Sequence, residues 1–226
     1  MSTDPTTPGP PPPAHEAAQR RDWTAYFDRM QGSPPRDTLL GALDAFGPPD
    51  PAEPPLAIDL GCGDGRDTAE LLARGWRVWA QDASEEGLRR LRARPECAAA
   101  ERDARLRIAH AGFESLTLPE GATLVNASFS LPFCPPDRFP SLWKAIDAAI
   151  PPGGRFSGQL FGDRDDWAIL EDRTHLTRAQ ALALFDQYVL ERFIEEDRPS
   201  RHRGASHKHW HVFHIIARKR PSQGHA

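Results

Sequence analysis

A short glycine-rich segment is the part of this sequence with the clearest capacity for chemistry. Residues 59–66 read DLGCGDGR and stand where a predicted buried strand gives way to a predicted helix. Glycines at Gly61 and Gly63 let the backbone turn sharply and let a ligand approach closely, while the next helix directs its N-terminal amides at that ligand. The segment therefore predicts a ligand site at the end of the strand.

A carboxylate follows the glycine segment at the spacing that a nucleoside site requires. Asp82 ends the next predicted strand, about 20 residues downstream, where its oxygens can accept hydrogen bonds from both hydroxyls of a ribose. The alternative is that Asp82 serves the start of the helix near Ser84. A dinucleotide site has glycine at the first, third and sixth positions, and the sixth position counted from Gly61 is Arg66. The spacing therefore argues against a nicotinamide dinucleotide.

The glycine pattern, with Asp59 two positions before Gly61, resembles the first motif of the class I S-adenosylmethionine-dependent methyltransferases. The resemblance implies that Gly61 and Gly63 pass beside the methionine part of S-adenosylmethionine. Over residues 39–217 the chain is similar to small-molecule methyltransferases, with the tellurite methyltransferases among the nearer-looking relatives. The cofactor-binding residues predicted on this basis are Asp59, Gly61, Cys62, Gly63, Gly65, Arg66, Asp82, Ala83, Phe113, Glu114 and Asn126.

The loop after the predicted third strand, residues 110–114, brackets the adenine in this family. Many members carry Asp where this chain has Gly112. The contact with the adenine amino group is therefore expected from another group, with Glu114 as a substitute acceptor beside the amide and ring of Phe113. An alternative role for Phe113 is that of a core residue.

Residues after the fourth and fifth strands lie where the methyl acceptor is expected, because ligands bind at the carboxyl ends of strands in open α/β sheets. Residues 126–129 (NASF) are similar to the asparagine motif of amino-methylating enzymes but lack its two prolines, so they do not indicate nitrogen chemistry. The predicted substrate-binding residues are Trp23, Tyr26, Phe27, Ser128, Phe129, Gln159, Phe161 and Trp167.

A hydroxyl or ammonium acceptor must also lose a proton, and a histidine or carboxylate near the pocket is the natural general base. The candidate catalytic residues are His175, Asp163 and His211, and the alternative for Asp163 is a solvated loop charge. His209 and His211 alternate onto one strand face as two metal ligands can. The sequence shows no third ligand, so we predict no metal site.

A parallel sheet must position these residues, because apolar runs typical of strands alternate with helical periodicity from residue 55 onwards. Strands are predicted at residues 56–60, 76–81, 106–110, 123–126 and 155–161, with helices at 66–74, 84–94, 139–150 and 177–185. Residues 188–195 and 209–217 predict a β-hairpin with a long turn. The resemblance implies a Rossmann-like seven-stranded, mostly parallel sheet with helices on both faces, strand order 3-2-1-4-5-7-6 and strand 7 antiparallel.

The N-terminal region divides into a leader and a helical segment. Residues 1–13 are dominated by Pro and Thr, which predicts a disordered leader. Residues 14–30 place Trp23, Tyr26 and Phe27 on one face of a predicted helix, and a second short helix follows. That face predicts a lid over the cofactor, with packing on the sheet as the alternative. We predict one methyltransferase domain over residues 14–220, with the helices and lid at 14–48 and the Rossmann-like core at 55–220.

Composition narrows the partners and the location. A net charge of −4 leaves no surplus of positive charge to neutralise nucleic-acid phosphates. The cysteines, Cys62, Cys97 and Cys134, are odd in number, which fits a reducing compartment better than a set of disulfides. The sequence contains no run of about 18 apolar residues, so we predict no membrane span.

We therefore expect a cytoplasmic enzyme that moves a methyl group from S-adenosylmethionine to a small-molecule substrate, with no nucleic acid or membrane partner. The oligomeric state stays open. Two alternatives also stay open: a nicotinamide-dependent oxidoreductase and a non-catalytic module that binds the cofactor.

Overall fold

One open sheet organises the chain, which a computed structural model describes over residues 13–200 and 208–221. Apart from Pro13, the predicted leader at residues 1–13 lies outside the described residues. The strands are β1 (Leu56–Leu60), β2 (Arg77–Asp82), β3 (Leu106–His110), β4 (Leu124–Ala127), β5 (Arg155–Gly162), β6 (His175–Leu176), β7 (Tyr188–Pro199) and β8 (His209–Lys219).

The sheet runs in the order β3-β2-β1-β4-β5-β8-β7. β8 is antiparallel to both of its neighbours, and the pairings among β1 to β5 are parallel. With β7 and β8 counted as the sixth and seventh strands, the predicted order 3-2-1-4-5-7-6 and the antiparallel seventh strand are confirmed. The two-residue β6, which pairs in parallel with the end of β5, was not predicted because so short a strand has no periodic pattern.

Helices cover both faces of the sheet. They are α1 (Ala14–Gln19), α2 (Trp23–Met30), α3 (Asp37–Phe46), α4 (Arg66–Ala73), α5 (Glu85–Ala93), α6 (Pro95–Arg102), α7 (Phe139–Ala149) and α8 (Arg178–Ala183). Buried apolar residues of α3, α4, α5 and α6 form one core cluster with one side of the sheet, and those of α7 and α8 form another. Single 3-10 turns occur at Phe113–Ser115, Leu131–Phe133 and Asp166–Ile169.

The N-terminal prediction of one helix over residues 14–30 is wrong, because the chain breaks between α1 and α2. Arg21 adopts a φ of 55°, in the left-handed region that interrupts a helix. Asp22 then caps α2 by accepting a hydrogen bond from the amide of Ala25 at 3.1 Å. The aromatic residues therefore lie on α2 alone. Helix α6 was not predicted, because its buried residues are few and small, among them Cys97 and Ala100.

Candidate active site

A cavity of about 1030 Å³ lies at the carboxyl ends of β1, β2 and β4, with α1 and α2 along one side. The predicted site residues that line it are Trp23, Tyr26, Phe27, Asp59, Gly61, Cys62, Gly63, Arg66, Asp82, Ala83, Phe113, Glu114, Ser128, Phe129, Phe161 and Trp167. The predicted residues outside the lining are Gly65, Asn126, Asp163, Gln159, His175 and His211.

The glycine loop between β1 and α4 is held in a left-handed turn. Gly61, Gly63 and Gly65 have φ angles of 64°, 56° and 82°, a region that side chains disfavour. A Cβ on Gly61 would collide with the side chain of Ser130, and a Cβ on Gly65 would lie 2.7 Å from Leu91 Cγ. Gly61 and Gly63 line the cavity, whereas Gly65 lies outside the lining and lets the turn pack on α5.

The carboxylate of Asp82 is fixed by two main-chain amides at the end of β2. Its Oδ2 accepts from the amide of Gly63 at 2.8 Å, and its Oδ1 accepts from the amide of Ser84 at 2.7 Å. Burial raises the pKa of Asp82, while these amide hydrogen bonds favour its charged form. Asp82 therefore joins the glycine loop to the start of α5 and still lines the cavity.

A second buried carboxylate, Asp59, lies beneath the glycine loop in a polar network. Its oxygens accept from Asn126 Nδ2 at 2.9 Å and from Thr68 Oγ1 at 2.6 Å. Burial and, next, the nearby carboxylate of Asp67 together raise the pKa of Asp59 to about 7. Asn126 also donates to Asp67 Oδ2 at 3.3 Å and is fully buried, so it supports the two carboxylates from behind the lining.

The predicted adenine loop lies at the opposite end of the glycine loop. Gly112, Phe113 and Glu114 line the cavity there, beside Ala83. A Cβ on Gly112 would collide with the carboxylate of Glu114. The acidic group of Glu114 therefore occupies the space beside Gly112, which supports its assignment as a substitute for the Asp found in many relatives.

Aromatic rings wall the other end of the cavity. Trp23 packs edge-on against Phe133 with centroids 5.0 Å apart, and Trp167 packs against Phe161 at 5.6 Å and Trp210 at 5.5 Å. Sequence reasoning missed Phe133 and Trp210. Neither belongs to a motif, and only the folded chain brings the segment after β4 and the strand β8 beside α2.

Phe129 is held in place by a residue that was predicted to bind substrate. It has a φ of 55°, and its amide donates to Gln159 Oε1 at 3.0 Å. The Nε2 of Gln159 donates in turn to Thr38 Oγ1 at 2.9 Å. Both ends of the Gln159 amide are therefore engaged, and this side chain positions Phe129 rather than facing the cavity.

The three candidate general bases are not brought together around the cavity. His211 is fully buried, with Nδ1 accepting from the amide of Arg164 at 3.0 Å and Nε2 lying 2.9 Å from Glu195 Oε1. Asp163 is exposed, and its Oδ1 lies 3.4 Å from His211 Nδ1 and 3.8 Å from Arg164 Nη1. His175 packs beside Phe161, and burial lowers its pKa. The structure gives none of the three a direct path to a bound acceptor.

The sequence shows no third ligand beside His211, and the structure brings Glu195 and Asp197 to it from the paired strand β7. Their potential ligand atoms all lie within 4.8 Å of one another. The guanidinium of Arg164 lies among them, donating to Glu195 Oε1 and Asp197 Oδ2 at 2.8 Å each. These acceptors therefore already face a cation.

Helix α2 contacts the glycine loop through the ring of Phe27. Phe27 is buried, and a Cβ on Gly63 would lie 2.8 Å from its Cε1. Beside this contact Arg90 of α5 pairs with Asp28 of α2 at 2.7 Å. Phe27 is therefore buried against the glycine loop and also lines the cavity.

The residues present fit an adenosyl cofactor with an amino-acid group. A half-buried carboxylate faces the cavity at the end of β2, an aromatic ring and an acidic acceptor lie beyond it, and two glycines expose main chain beside it. Asp82, Phe113 with Glu114, and Gly61 with Gly63 supply these three features.

Comparisons with known proteins identify the domain and the fold. Residues 57–154 match a family model described as a methyltransferase domain. TehB from Haemophilus influenzae superposes with a TM-score of 0.69 at 16% identity, covering 88% of this chain and 67% of that chain. No curated protein sequence matches the chain.

Two further solved structures share the fold and contain S-adenosylhomocysteine. The Burkholderia thailandensis 1,6-didemethyltoxoflavin-N1-methyltransferase has a TM-score of 0.62 at 20% identity, over 98% of this chain and 99% of that chain. The N-methyltransferase NodS from Bradyrhizobium japonicum WM9 has a TM-score of 0.63 at 14% identity, over 89% and 96%. At these identities the superpositions establish the fold.

No helix within residues 13–200 and 208–221 has the length and apolar character needed to cross a membrane. The matched family replaces the nicotinamide-dependent alternative, because the match covers the glycine loop and Asp82 together. Residues 57–154 are therefore an S-adenosylmethionine-dependent methyltransferase domain, and the fold of the chain is that of the class I enzymes.

Proposed function

We propose that the methyl acceptor is a small molecule that binds in the aromatic part of the cavity. The shape of the cavity is the main support for this proposal. The cavity continues from the glycine loop into a compartment that is lined by aromatic rings and covered by α1 and α2. Sites for single ligands have volumes of about 300–1,000 Å³, so a cavity of about 1030 Å³ has room for a cofactor and a small acceptor.

The cofactor-binding residues follow from this arrangement. Asp82 accepts hydrogen bonds from the ribose hydroxyls, Phe113 and Glu114 contact the adenine, and the main chain of Gly61 and Gly63 lies beside the methionine part. S-adenosylmethionine supplies a methyl group on a positively charged sulfur. The chain contributes binding and orientation, and a fixed orientation accounts for a large share of the rate in such displacements.

Transfer requires the acceptor atom about 3 Å from the methyl carbon and in line with the sulfur. Phe129 and Trp23 form walls that restrict the acceptor to such a position, and Ser128 lies at the same edge of the sheet. We also propose that residues 14–48 act as a lid that excludes water, within one methyltransferase domain over residues 14–220.

Two observations support a small acceptor over a macromolecule. The similar Burkholderia thailandensis enzyme was solved with the small molecule 1,6-didemethyltoxoflavin. The net charge of −4 is unfavourable for nucleic acid. We also propose a cytoplasmic location, because Cys62, Cys97 and Cys134 are buried thiols, a state typical of reducing compartments.

The test is a methyl-transfer assay that measures formation of S-adenosylhomocysteine. The purified chain is incubated with S-adenosylmethionine and, separately, with small aromatic hydroxy and amino compounds, DNA, RNA and protein. We expect turnover with small compounds, a loss of kcat/KM in Trp23→Ala and an unchanged kcat/KM in the exposed control Asp103→Asn. Turnover restricted to DNA, RNA or protein would contradict the proposal.

A further inference from the structure

Two buried cations lie behind the aromatic wall of the acceptor compartment. The ammonium of Lys208 lies 3.9 Å from the ring centroid of Trp210 and 4.2 Å from that of Trp167. The guanidinium of Arg173 lies 5.1 Å from the centroids of Phe133 and Trp167. The rings that face the cavity are therefore backed by positive charge.

The positive side chains behind the aromatic wall do not each have a carboxylate of their own. Lys208 pairs with the buried Asp165, and Arg173 pairs at 2.9 Å with Asp172. Asp172 is shared, because it also pairs at 3.0 Å with Arg21, whose guanidinium lies beside the same wall. Arg173 and Arg21 therefore share one carboxylate, and Nη1 of Arg173 is buried with no hydrogen-bond partner among the described residues.

A fourth cation, Arg36, lines the cavity directly. Its guanidinium lies 4.6 Å from the ring centroid of Phe129, and its Nε is buried without a hydrogen-bond partner among residues 13–200 and 208–221. The carboxylate of Asp67 accepts from the main-chain amide of Arg36 at 3.2 Å and from Nε of Arg66 at 3.1 Å, and no ion pair to the Arg36 guanidinium is found in the described part of the chain. The Arg36 guanidinium is thus available to an anion in the compartment.

The acidic groups at this end of the cavity are already paired. Glu196, which lines the rim, contacts Arg198 at 2.7 Å and Nε2 of His214 at 3.2 Å. The candidate bases His175, Asp163 and His211 lie outside the lining. The compartment therefore offers an acceptor more positive charge than free carboxylate.

We propose that the acceptor is a flat aromatic acid, a phenol, an enol or a ring with an acidic N–H, that binds as its anion with Arg36 as its charge partner. The proton leaves to solvent as the acceptor binds. The deprotonated atom then forms a bond to the methyl carbon, the bond from that carbon to sulfur breaks, and the electron pair stays on sulfur. This inference rests on the proposed small-molecule function and names its substrate class.

The test uses 4-nitrophenol as a probe, because its anion has a visible absorption band that its neutral form lacks. The full chain is saturated with S-adenosylhomocysteine and titrated at a pH below the solution pKa of the probe. We expect the anion band to grow on binding. Arg36→Gln should weaken binding about 10- to 100-fold, as loss of a charge-assisted hydrogen bond does. Arg36→Lys should retain part of the affinity, and the exposed control Arg92→Gln should retain all of it.

Three results would overturn the proposal. The first is equal binding of 4-nitrophenol and its neutral methyl ether in the parent and in Arg36→Gln. The second is weaker binding of S-adenosylhomocysteine to Arg36→Gln with unchanged binding of 5′-methylthioadenosine, which lacks the amino-acid part, because Arg36 would then serve the cofactor. The third concerns His15 of α1, a histidine that lines the cavity: loss of kcat and of the pH dependence of kcat in His15→Gln would indicate a protein base.

The same titrations separate this inference from the function on which it rests. If the chain binds S-adenosylhomocysteine but no flat probe of any charge, the small-molecule proposal fails. If neutral probes bind as well as anions do, only the assignment of charge fails.

Discussion

The cofactor end and the acceptor end of the cavity are held in place by different means. At the cofactor end, hydrogen bonds from main-chain amides fix the side chains, as from Gly63 to Asp82 and from Gly61 to Gln81. At the acceptor end, side chains from distant segments pack together, as with Trp23 and Phe133. The first arrangement is local in sequence and follows from a motif, whereas the second depends on the whole fold.

The largest effect is expected from a Cβ at the cofactor end. Gly61→Ala places a side chain against Ser130 at a residue with a φ of 64°. We expect a loss of unfolding free energy of more than about 1–2 kcal/mol and a loss of S-adenosylhomocysteine binding. Urea unfolding and calorimetry measure the two effects.

Gly153→Ala is the matched control for that change. Gly153 has a φ of 86°, and a Cβ there would meet nothing within 4 Å. It should therefore lose about 1–2 kcal/mol of stability from strain alone and bind S-adenosylhomocysteine like the parent. If Gly61→Ala binds as well as Gly153→Ala does, the glycine loop is not where the ligand lies.

An intermediate effect is expected at the lid that joins the two ends. We predict that amides of residues 14–32 gain protection from hydrogen exchange when S-adenosylhomocysteine binds, because lids come from the less stable parts of a protein. Helix α7, which lies away from the cavity in the core, serves as the internal control. Equal protection of residues 14–32 with and without ligand would show that α1 and α2 are simply packed core.

The smallest effect concerns the pH dependence of stability at the cofactor end. The pKa of Asp59 is raised to about 7 by burial, so between the unfolded pKa and about 7 the folded chain holds a proton that the unfolded chain has released. The contribution of Asp59 to the unfolding free energy therefore falls as the pH rises through that range. Asp59→Asn should flatten this part of the stability profile, and Asp103→Asn should leave it unchanged. An unaltered slope in Asp59→Asn would mean that Asp59 ionises normally.

The same contrast explains how far the sequence predicts this molecule. The strands 56–60 and 106–110 were predicted with the bounds that the structure shows, because short, mostly apolar segments between turns and helical periodicity favour strands. The sheet order also agrees, since it came from the resemblance to a family with one topology. The break between α1 and α2 was missed, because it depends on a left-handed Arg21 that no composition signal marks.

The acceptor end was predicted less well, because hydrogen bonding and packing decide which way a side chain faces. Gln159 was expected to contact substrate, yet both ends of its amide are engaged by Phe129 and Thr38. His211 was expected in the pocket, yet its imidazole ring packs against Gly162 of the neighbouring strand β5. Arg36 was not predicted at all, because only the fold places a residue before α3 against Phe129.

The central claim is that the cavity beside Asp82 binds the cofactor, and calorimetry with S-adenosylhomocysteine tests it most directly. We expect the parent chain to bind and Asp82→Ala to bind more weakly by roughly 1.5–3 kcal/mol, the usual contribution of hydrogen bonds to a charged group. Because Asp82 also accepts from two main-chain amides, a thermal melt of the variant must show that it remains folded at the titration temperature. A folded Asp82→Ala variant with the affinity of the parent would contradict the account.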